Sequence, residues 1–423
     1  MSSLAPDSAP DSTGSDSARA VPPNPHHRGV PAWVLLAAML LAALNLRTAV
    51  TSVGPVLDEL ELDIGLSSSL AGVLTTLPVI IFAGLGSLTP RFARHLGEKH
   101  TFIGALALMT VGLALRSLVG SAWAFLLLSV LALAGGAMGN VLLPVFVKQF
   151  FPRHIGPATA AYTTAMATGS TLAAGITVPL ANLQEPMSWR FGLGAWAGLA
   201  LVGLLTTLLL PARVHPPQKP GTPAHRPLHH SRTAWALAIF FGTQSLQAYV
   251  QFGWFALFFR ERAGVSATQA GVLVAVLIGL SIPVSMVIPS IASRRSDQRA
   301  IIMFLTGCTV VAYIGMVVSP AAGAWIWVVL AGIGAGAFPL ALTMIGLRTR
   351  SVAMTGPLSA FSQSVGYVIA GAGPLLVGVL HGATGGWTWP FVLLFVDLAV
   401  MGVAGWVIGK HRYVEDDLAP VPV

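Results

Sequence analysis

One arginine stands inside a long apolar run, where a cation is costly. Arg47 lies in Leu44-Asn45-Leu46-Arg47-Thr48, and a charge deep in a membrane-crossing helix costs at least about 2.5–3.5 kcal/mol on insertion scales. Such a residue persists where it meets a cavity, a partner or a ligand. Its planar fork of donors suits a carboxylate, a nitro group or another anionic group; a structural ion pair and snorkelling to the surface are the plainer roles. Thr51 and Gly54 follow Arg47 at helical spacing and share its face. A second polar stripe is formed by Gln244, Gln247 and Gln251, at i, i+3 and i+7, with Tyr249 and Trp254 close by. Amides in hydrocarbon need partners, supplied either by other helices or by a wet cavity. Asn45 and Gln363 are further amides within apolar runs, whereas Thr164, Thr168 and Thr171 have the spacing of a packing face. Asp397 is the only acid deep inside such a run. It is a candidate proton carrier, with a structural bond to a neighbouring helix as the alternative.

These side chains need elements to hold them, and composition says which. Only 9% of the 423 residues are charged, against about 25% in an ordinary soluble domain. Mean hydropathy is +0.77. A soluble fold could not hide that much apolar surface, so the bilayer is the natural solvent. The 45 glycines suit closely packed membrane helices. A net charge of +8 does not point to nucleic acid, because the Lys and Arg sit in short connections between apolar runs rather than on one face. Cys308 is the only cysteine, so no disulfide forms within the chain. His225, His229 and His230 lie in a Pro-rich loop without metal-site spacing, and no phosphate-binding loop is present. The chemistry therefore excludes an enzyme built on a metal or nucleotide, and no cofactor is expected.

Crossing the hydrocarbon takes about 20 apolar residues, and twelve stretches qualify. They cover roughly 32–57, 67–89, 101–119, 122–147, 157–181, 189–210, 233–259, 267–291, 300–318, 321–346, 354–380 and 387–409. The expected fold class is an all-α membrane protein: two six-helix bundles, 32–210 and 233–409, joined by a basic linker at 211–232. Residues 1–31 read as a disordered tail and 410–423 as a second tail, with no signal-peptide pattern at the start. With both termini in the cytoplasm, that side holds eighteen of the 23 Lys and Arg. Arg116, Arg190, Arg260 and Arg262 fall in external loops, and the acidic first loop (Asp58, Glu59, Glu61, Asp63) has no base. This bias predicts a multi-pass inner-membrane protein with cytoplasmic termini.

The halves echo one another at an offset of 200 residues. Gly156-Pro157 matches Gly356-Pro357, Lys148 matches Arg348, Arg94 matches Arg294 and Leu46 matches Leu246. A shift of six helices preserves orientation, which is the two-lobed carrier arrangement.

Specific runs then suggest a family. Leu44-Asn45-Leu46-Arg47 followed by Thr51-Ser52-Val53-Gly54-Pro55, Thr76-Leu77-Pro78-Val79, Ile345-Gly346-Leu347-Arg348-Thr349-Arg350 and Gln363-Ser364-Val365-Gly366-Tyr367 resemble the cyanate and 2-nitroimidazole transporter branch of the major facilitator superfamily. Gly373-Pro374, Leu380-His381 and Thr384-Gly385-Gly386-Trp387 extend the resemblance, which spans about residues 32–409. Two departures stand out. Gly86-Ser87-Leu88-Thr89-Pro90-Arg91 lacks the acid usual in that loop, and Trp254 is followed by Phe255-Ala256 rather than by a proline two residues on. The resemblance implies a twelve-helix carrier working by alternating access, its cavity lined by the first, fourth, seventh and tenth helices. A small polar or anionic solute is then the expected partner, with Arg47 as its anchor and Asn45, Thr51, Gln244, Gln247, Gln251 and Gln363 as further contacts. Protons are the candidate coupling ion, with Asp397 as carrier and Asp58, Glu59 or His381 as alternatives; a substrate-borne proton or uniport would need none of them. The expected working unit is a monomer in the bilayer. A lipophilic-solute exporter of the same fold, a non-transporting sensor and a channel are the rival readings.

Overall fold

The computed structural model describes residues 31–65, 68–184, 188–208 and 227–418. The expected N-terminal tail, most of the 211–232 linker and the last five residues lie outside the described residues, as do the side chains of Asp58 and Thr76. Among the described residues the chain is helical, with no strand. The first span is α1 (Ala32–Asn45) with α2 (Thr48–Thr51) and a 3-10 turn over Gly54–Val56, and α3 (Leu57–Ile64) follows it. The next five spans are α4 (Ser68–Leu96), α5 (Glu98–Arg116), α6 (Ala122–Phe150), α7 (Ile155–Ala181) and α8 (Trp189–Thr207). The second half contains α9 (Arg232–Ala263), the broken pair α10 (Ala267–Gly279) and α11 (Ser281–Ser293), and α12 (Arg299–Val318). A second broken pair, α13 (Ala324–Gly334) and α14 (Ala337–Leu347), precedes α15 (Val352–Thr384), α16 (Thr388–Gly409) and the short α17 (Val414–Leu418).

Eight of the twelve spans are, by length and hydropathy alone, able to cross a membrane. The other four are α4, α5, α7 and α9. The glutamines of α9 and the threonines of α7 dilute their hydropathy, and both helices face the interior cavity. Helix ends follow ordinary capping chemistry. Ser188, Ser231, Ser266 and Ser351 accept the N–H three residues on. Gly264 and Gly385 close α9 and α15 in the left-handed region, at φ 66° and 64°.

The halves meet through α4 against α15 and α7 against α11, with α6 and α14 adding contacts. A shift of six spans exchanges these two leading pairs, so the interface carries the pseudo-symmetry expected from the 200-residue repeat. Gly156 sits at the α7–α11 contact, where a Cβ would come within 2.6 Å of the Pro289 carbonyl. Only glycine allows that approach.

The first span was expected to be continuous, but it breaks at Leu46–Arg47. Two causes are visible. The Thr48 and Thr51 hydroxyls take the Asn45 and Arg47 carbonyls at 2.8 and 3.1 Å, offering the backbone an alternative to the helix ladder. Arg116 then holds the loosened segment, donating to the Ala49 carbonyl and the Ser52 hydroxyl, each at 3.0 Å. Arg116 was expected in an external loop. It is instead 0% exposed in the last turn of α5, where these acceptors replace its water.

On the face carrying α17, acidic residues tie helix ends together. Asp417 accepts from the Thr233 N–H and the Ser231 hydroxyl, both at 2.8 Å, at the N-terminus of α9. Glu415 accepts from the Arg350 N–H at 2.8 Å and the Ser351 N–H at 3.1 Å, at the N-terminus of α15. Burial works to raise the pKa of Asp417, but the Thr233 and Ser231 bonds and Arg412 outweigh it and hold the carboxyl below its ordinary value. A lowered folded pKa means the stabilisation is complete above the unfolded value of about 3.9 and is lost as pH falls through the folded one. Asp417→Ala is therefore expected to destabilise the detergent-solubilised protein by about 1–2 kcal/mol at neutral pH. The gap from wild type should close below about pH 4, read by thermal unfolding. A gap unchanged down to pH 3 would assign the loss to packing instead.

Candidate functional site

A cavity of about 1200 Å³ lies between the halves. It runs from the level of Arg47 towards Leu57, Leu74, Gly175 and Leu375, so it opens on the face opposite the termini. Its wall is mostly apolar. Besides the first, fourth, seventh and tenth spans it draws on α4, α7, the α10–α11 pair and α15, with Thr309 of α12 and Leu398 and Met401 of α16, a broader lining than the expected four.

The break in the first span puts Arg47 on the cavity wall, half-buried, its guanidinium 4.6 Å from the centroid of the Phe338 ring. The ring face accounts for part of its accommodation. Among the described residues no carboxylate pairs with it. Tyr249 and Tyr367 lie within its field. Tyr367 is 1% exposed, wedged edge-on against Phe82 and Phe241 at centroid distances of 5.1 and 5.3 Å. Its hydroxyl sits within interaction reach of Arg47 and the Asn140 side chain, although neither that hydroxyl nor the Asn140 Nδ2 makes a hydrogen bond of ordinary geometry. Buried polar groups are normally paired. Arg47 and two buried polar groups with hydrogen-bonding capacity to spare therefore stand together, an arrangement complementary to a planar anionic or nitro group.

The amide stripe leads elsewhere. Gln247 Nε2 donates to Asp397 Oδ2 at 2.7 Å and to the Leu394 carbonyl at 3.1 Å. Its Oε1 accepts from the Tyr313 hydroxyl at 2.5 Å, and that oxygen accepts from Gln251 Nε2 at 2.9 Å. Gln247 and Gln251 line the cavity, so one unbroken chain of hydrogen bonds joins its wall to the Asp397 carboxylate in α16. Gln244 also lines the wall, donating to the Phe241 carbonyl and the Ser245 hydroxyl at 2.9 and 2.6 Å.

The remaining expected residues divide. Thr51 lines the cavity, with its hydroxyl committed to the Arg47 carbonyl. Asn45 is turned away, its amide donating to the Leu41 and Leu199 carbonyls at 2.8 and 3.2 Å, where it pins α1 to α8. Gln363 is likewise away from the wall, bonded to Ser359 Oγ at 2.8 Å and reaching the Asn140 carbonyl at 3.4 Å. Both amides found backbone partners on neighbouring helices, a choice that helical spacing cannot foretell. Asn140, Tyr367, Tyr313 and Phe338 were missed as site residues. Asn140 carried a usable signal, being a lone amide in the apolar run of α6. Thr163 and Thr171 of α7 line the wall, whereas Thr164 is absent from it.

At the mouth, Trp254 lines the cavity and donates to the Pro374 carbonyl at 3.1 Å. Beside it, Glu261 accepts from the Trp387 indole at 2.8 Å and bonds His381 at 3.0 Å, and these donors hold its carboxyl below the usual range.

The sequence profile of the Major Facilitator Superfamily matches residues 36–371. The chain belongs to the major facilitator superfamily. Within it, this facilitator is 34% identical to the 2-nitroimidazole transporter of Escherichia coli (strain K12), over 90% of this chain and 96% of that one. It is 31% identical to the cyanate transport protein CynX of the same organism, over 86% and 94%. The fold is shared with the facilitator FucP solved in its outward conformation, at a TM-score of 0.69 and 14% identity, covering 90% of this chain and 99% of that one. This facilitator is thus a membrane-embedded, multi-pass transporter of small solutes.

On the face of the termini the facilitator is latched shut. Lys148 Nζ crosses from α6 to the Gly346 and Thr349 carbonyls at 2.8 and 2.6 Å, and Ser359 Oγ crosses back to the Val141 carbonyl at 2.9 Å. The pseudo-equivalent Arg348 spends its donors within its own half, on the Ile408 and Gly409 carbonyls and Gln298.

Proposed function

We propose that this facilitator carries an organic solute bearing one planar anionic or nitro group across the bacterial inner membrane by alternating access. The observation that supports this most is Arg47 on a mostly apolar wall, with no carboxylate paired to it among the described residues and with the Tyr367 hydroxyl beside it and Asn140 just behind. A lone cation among aromatic rings favours a solute with a charged or strongly dipolar end and an apolar body. A nitroazole or an aromatic carboxylate fits that description better than cyanate does, because a cavity of about 1200 Å³ far exceeds a three-atom ion. The similarity to a 2-nitroimidazole transporter agrees with it. The same apolar wall favours a second reading, export of a lipophilic solute.

Flux into proteoliposomes tests the first reading against a panel of 2-nitroimidazole, benzoate and cyanate beside the neutral analogues imidazole and benzamide. Saturable flux of 2-nitroimidazole and benzoate is expected, with weaker flux of cyanate and none of the neutral analogues. Equal flux of the neutral analogues, or flux of none, removes the reading. We also propose that the termini face the cytoplasm, since the Lys and Arg bias favours it. Cysteines placed at 211–232 in a Cys308→Ser background should resist an impermeant maleimide in intact cells, and labelling there reverses the orientation.

A further inference from the structure

A second concavity, of about 660 Å³, lies on the outside of the C-terminal half, between the beginning of α9 and the end of α16. Its two ends differ in chemistry. The part within the bilayer is walled by Ile239, Val400, Val403 and Val407, and the three valines are exposed. From Val400 to Val407 this wall runs about 10 Å along the helix axis. At the interface it ends on the 3-10 turn Leu228–His230 and on Arg232, with His229, His230 and Arg232 all exposed. Trp235 stands between the two ends, its indole donating to the His229 carbonyl at 2.9 Å and its ring edge-on to Phe361 at 5.2 Å.

The charge at this end is uncompensated. Arg232 makes no ion pair among the described residues. The acids of α17, next to it in the fold, are committed elsewhere: Asp416 to Arg350, Asp417 to Arg412, Ser231 and Thr233, and Glu415 to the N–H groups of Arg350 and Ser351. An apolar trough that ends in an interfacial tryptophan and an unpaired arginine matches one kind of molecule, with an acyl chain for the valines and an anion for the arginine.

We propose that this groove binds an anionic phospholipid, with one acyl chain along the α9–α16 valine wall and its phosphate at Arg232 and the His229–His230 turn. The site is separate from the transport cavity and does not depend on the solute proposed for it.

Fluorescence quenching tests this on the full chain in detergent. Phosphatidylglycerol with brominated acyl chains is titrated into wild type and Trp235→Phe, and the difference isolates Trp235. Brominated phosphatidylcholine is the zwitterionic reference, and glycerol phosphate is the headgroup without a chain. Half-quenching of Trp235 is expected at about fivefold less phosphatidylglycerol than phosphatidylcholine, the worth of one basic side chain near a lipid surface. Arg232→Gln should erase that preference, and so should high salt acting on wild type without any substitution. Glycerol phosphate should not compete. Equal titrations of the two lipids in wild type, a preference intact in Arg232→Gln, or full competition by glycerol phosphate would each overturn the proposal.

Discussion

Arg47→Ala is expected to abolish measurable solute binding while leaving the protein inserted and folded. Truncating one partner of a desolvated charge contact costs roughly 2–5 kcal/mol, or about 30-fold to several thousand-fold in affinity. The residue contributes little to stability that could confuse the result, because it pairs with no carboxylate among the described residues and sits on the cavity wall. Removing a cation from a span also eases insertion. Arg47→Lys should recover only part of the affinity, since a compact ammonium does not reproduce a planar fork and loses most of the stacking on Phe338. Tyr367→Phe removes the hydroxyl beside Arg47 and should weaken binding by about tenfold, the worth of one hydrogen bond to a charged group. Isothermal titration of purified variants against the best-transported member of the panel reads all three. Wild-type affinity in Arg47→Ala takes the residue out of the site and leaves its position unexplained.

The second large effect is expected at Asp397. Asparagine there keeps an acceptor for the Gln247 amide, so the chain Asp397–Gln247–Tyr313–Gln251 can retain its geometry while losing the group able to carry a proton. Uphill accumulation driven by an imposed pH gradient should then disappear, while downhill exchange of solute stays within about twofold of wild type. The two assays are run on the same proteoliposomes, so that poor expression lowers both and only decoupling lowers one. Accumulation that survives Asp397→Asn would move the coupling to a proton carried by the solute itself, or leave the carrier a uniporter.

The twelve spans are legible in the sequence because each is a long, predominantly apolar run, even where polar residues dilute it as in α7 and α9, and neighbouring helices do not alter that signal. Arg47 and the stripe Gln244, Gln247, Gln251 were legible on the same ground, since polarity in hydrocarbon is conspicuous. What could not be read was rotation. Asn45, Gln363 and Asn140 are all amides in apolar runs, yet only the Asn140 side chain stands beside Tyr367 and Arg47; the other two were claimed by the Leu199 carbonyl and by Ser359. The break at Leu46–Arg47 was hidden for a related reason. It depends on Arg116, 67 residues away, reaching the Ala49 carbonyl, and from the sequence Arg116 looked like the edge of a loop.

The clasp of Lys148 on the carbonyls ending α14 bears on how fast the carrier can cycle. In the alternating-access cycle proposed above, its acceptors are backbone carbonyls, which do not titrate, so the clasp acts as a fixed toll on reorientation rather than as a pairing with a titratable acid. Only one half supplies it, because Arg348 is spent inside its own bundle. Charge-assisted bonds of this kind are worth about 1.5–3 kcal/mol, which, if lost on the way to opening, is equivalent to about 10- to 150-fold in turnover. Drift at that one position would let relatives with the same cavity differ widely in speed while keeping the same solute.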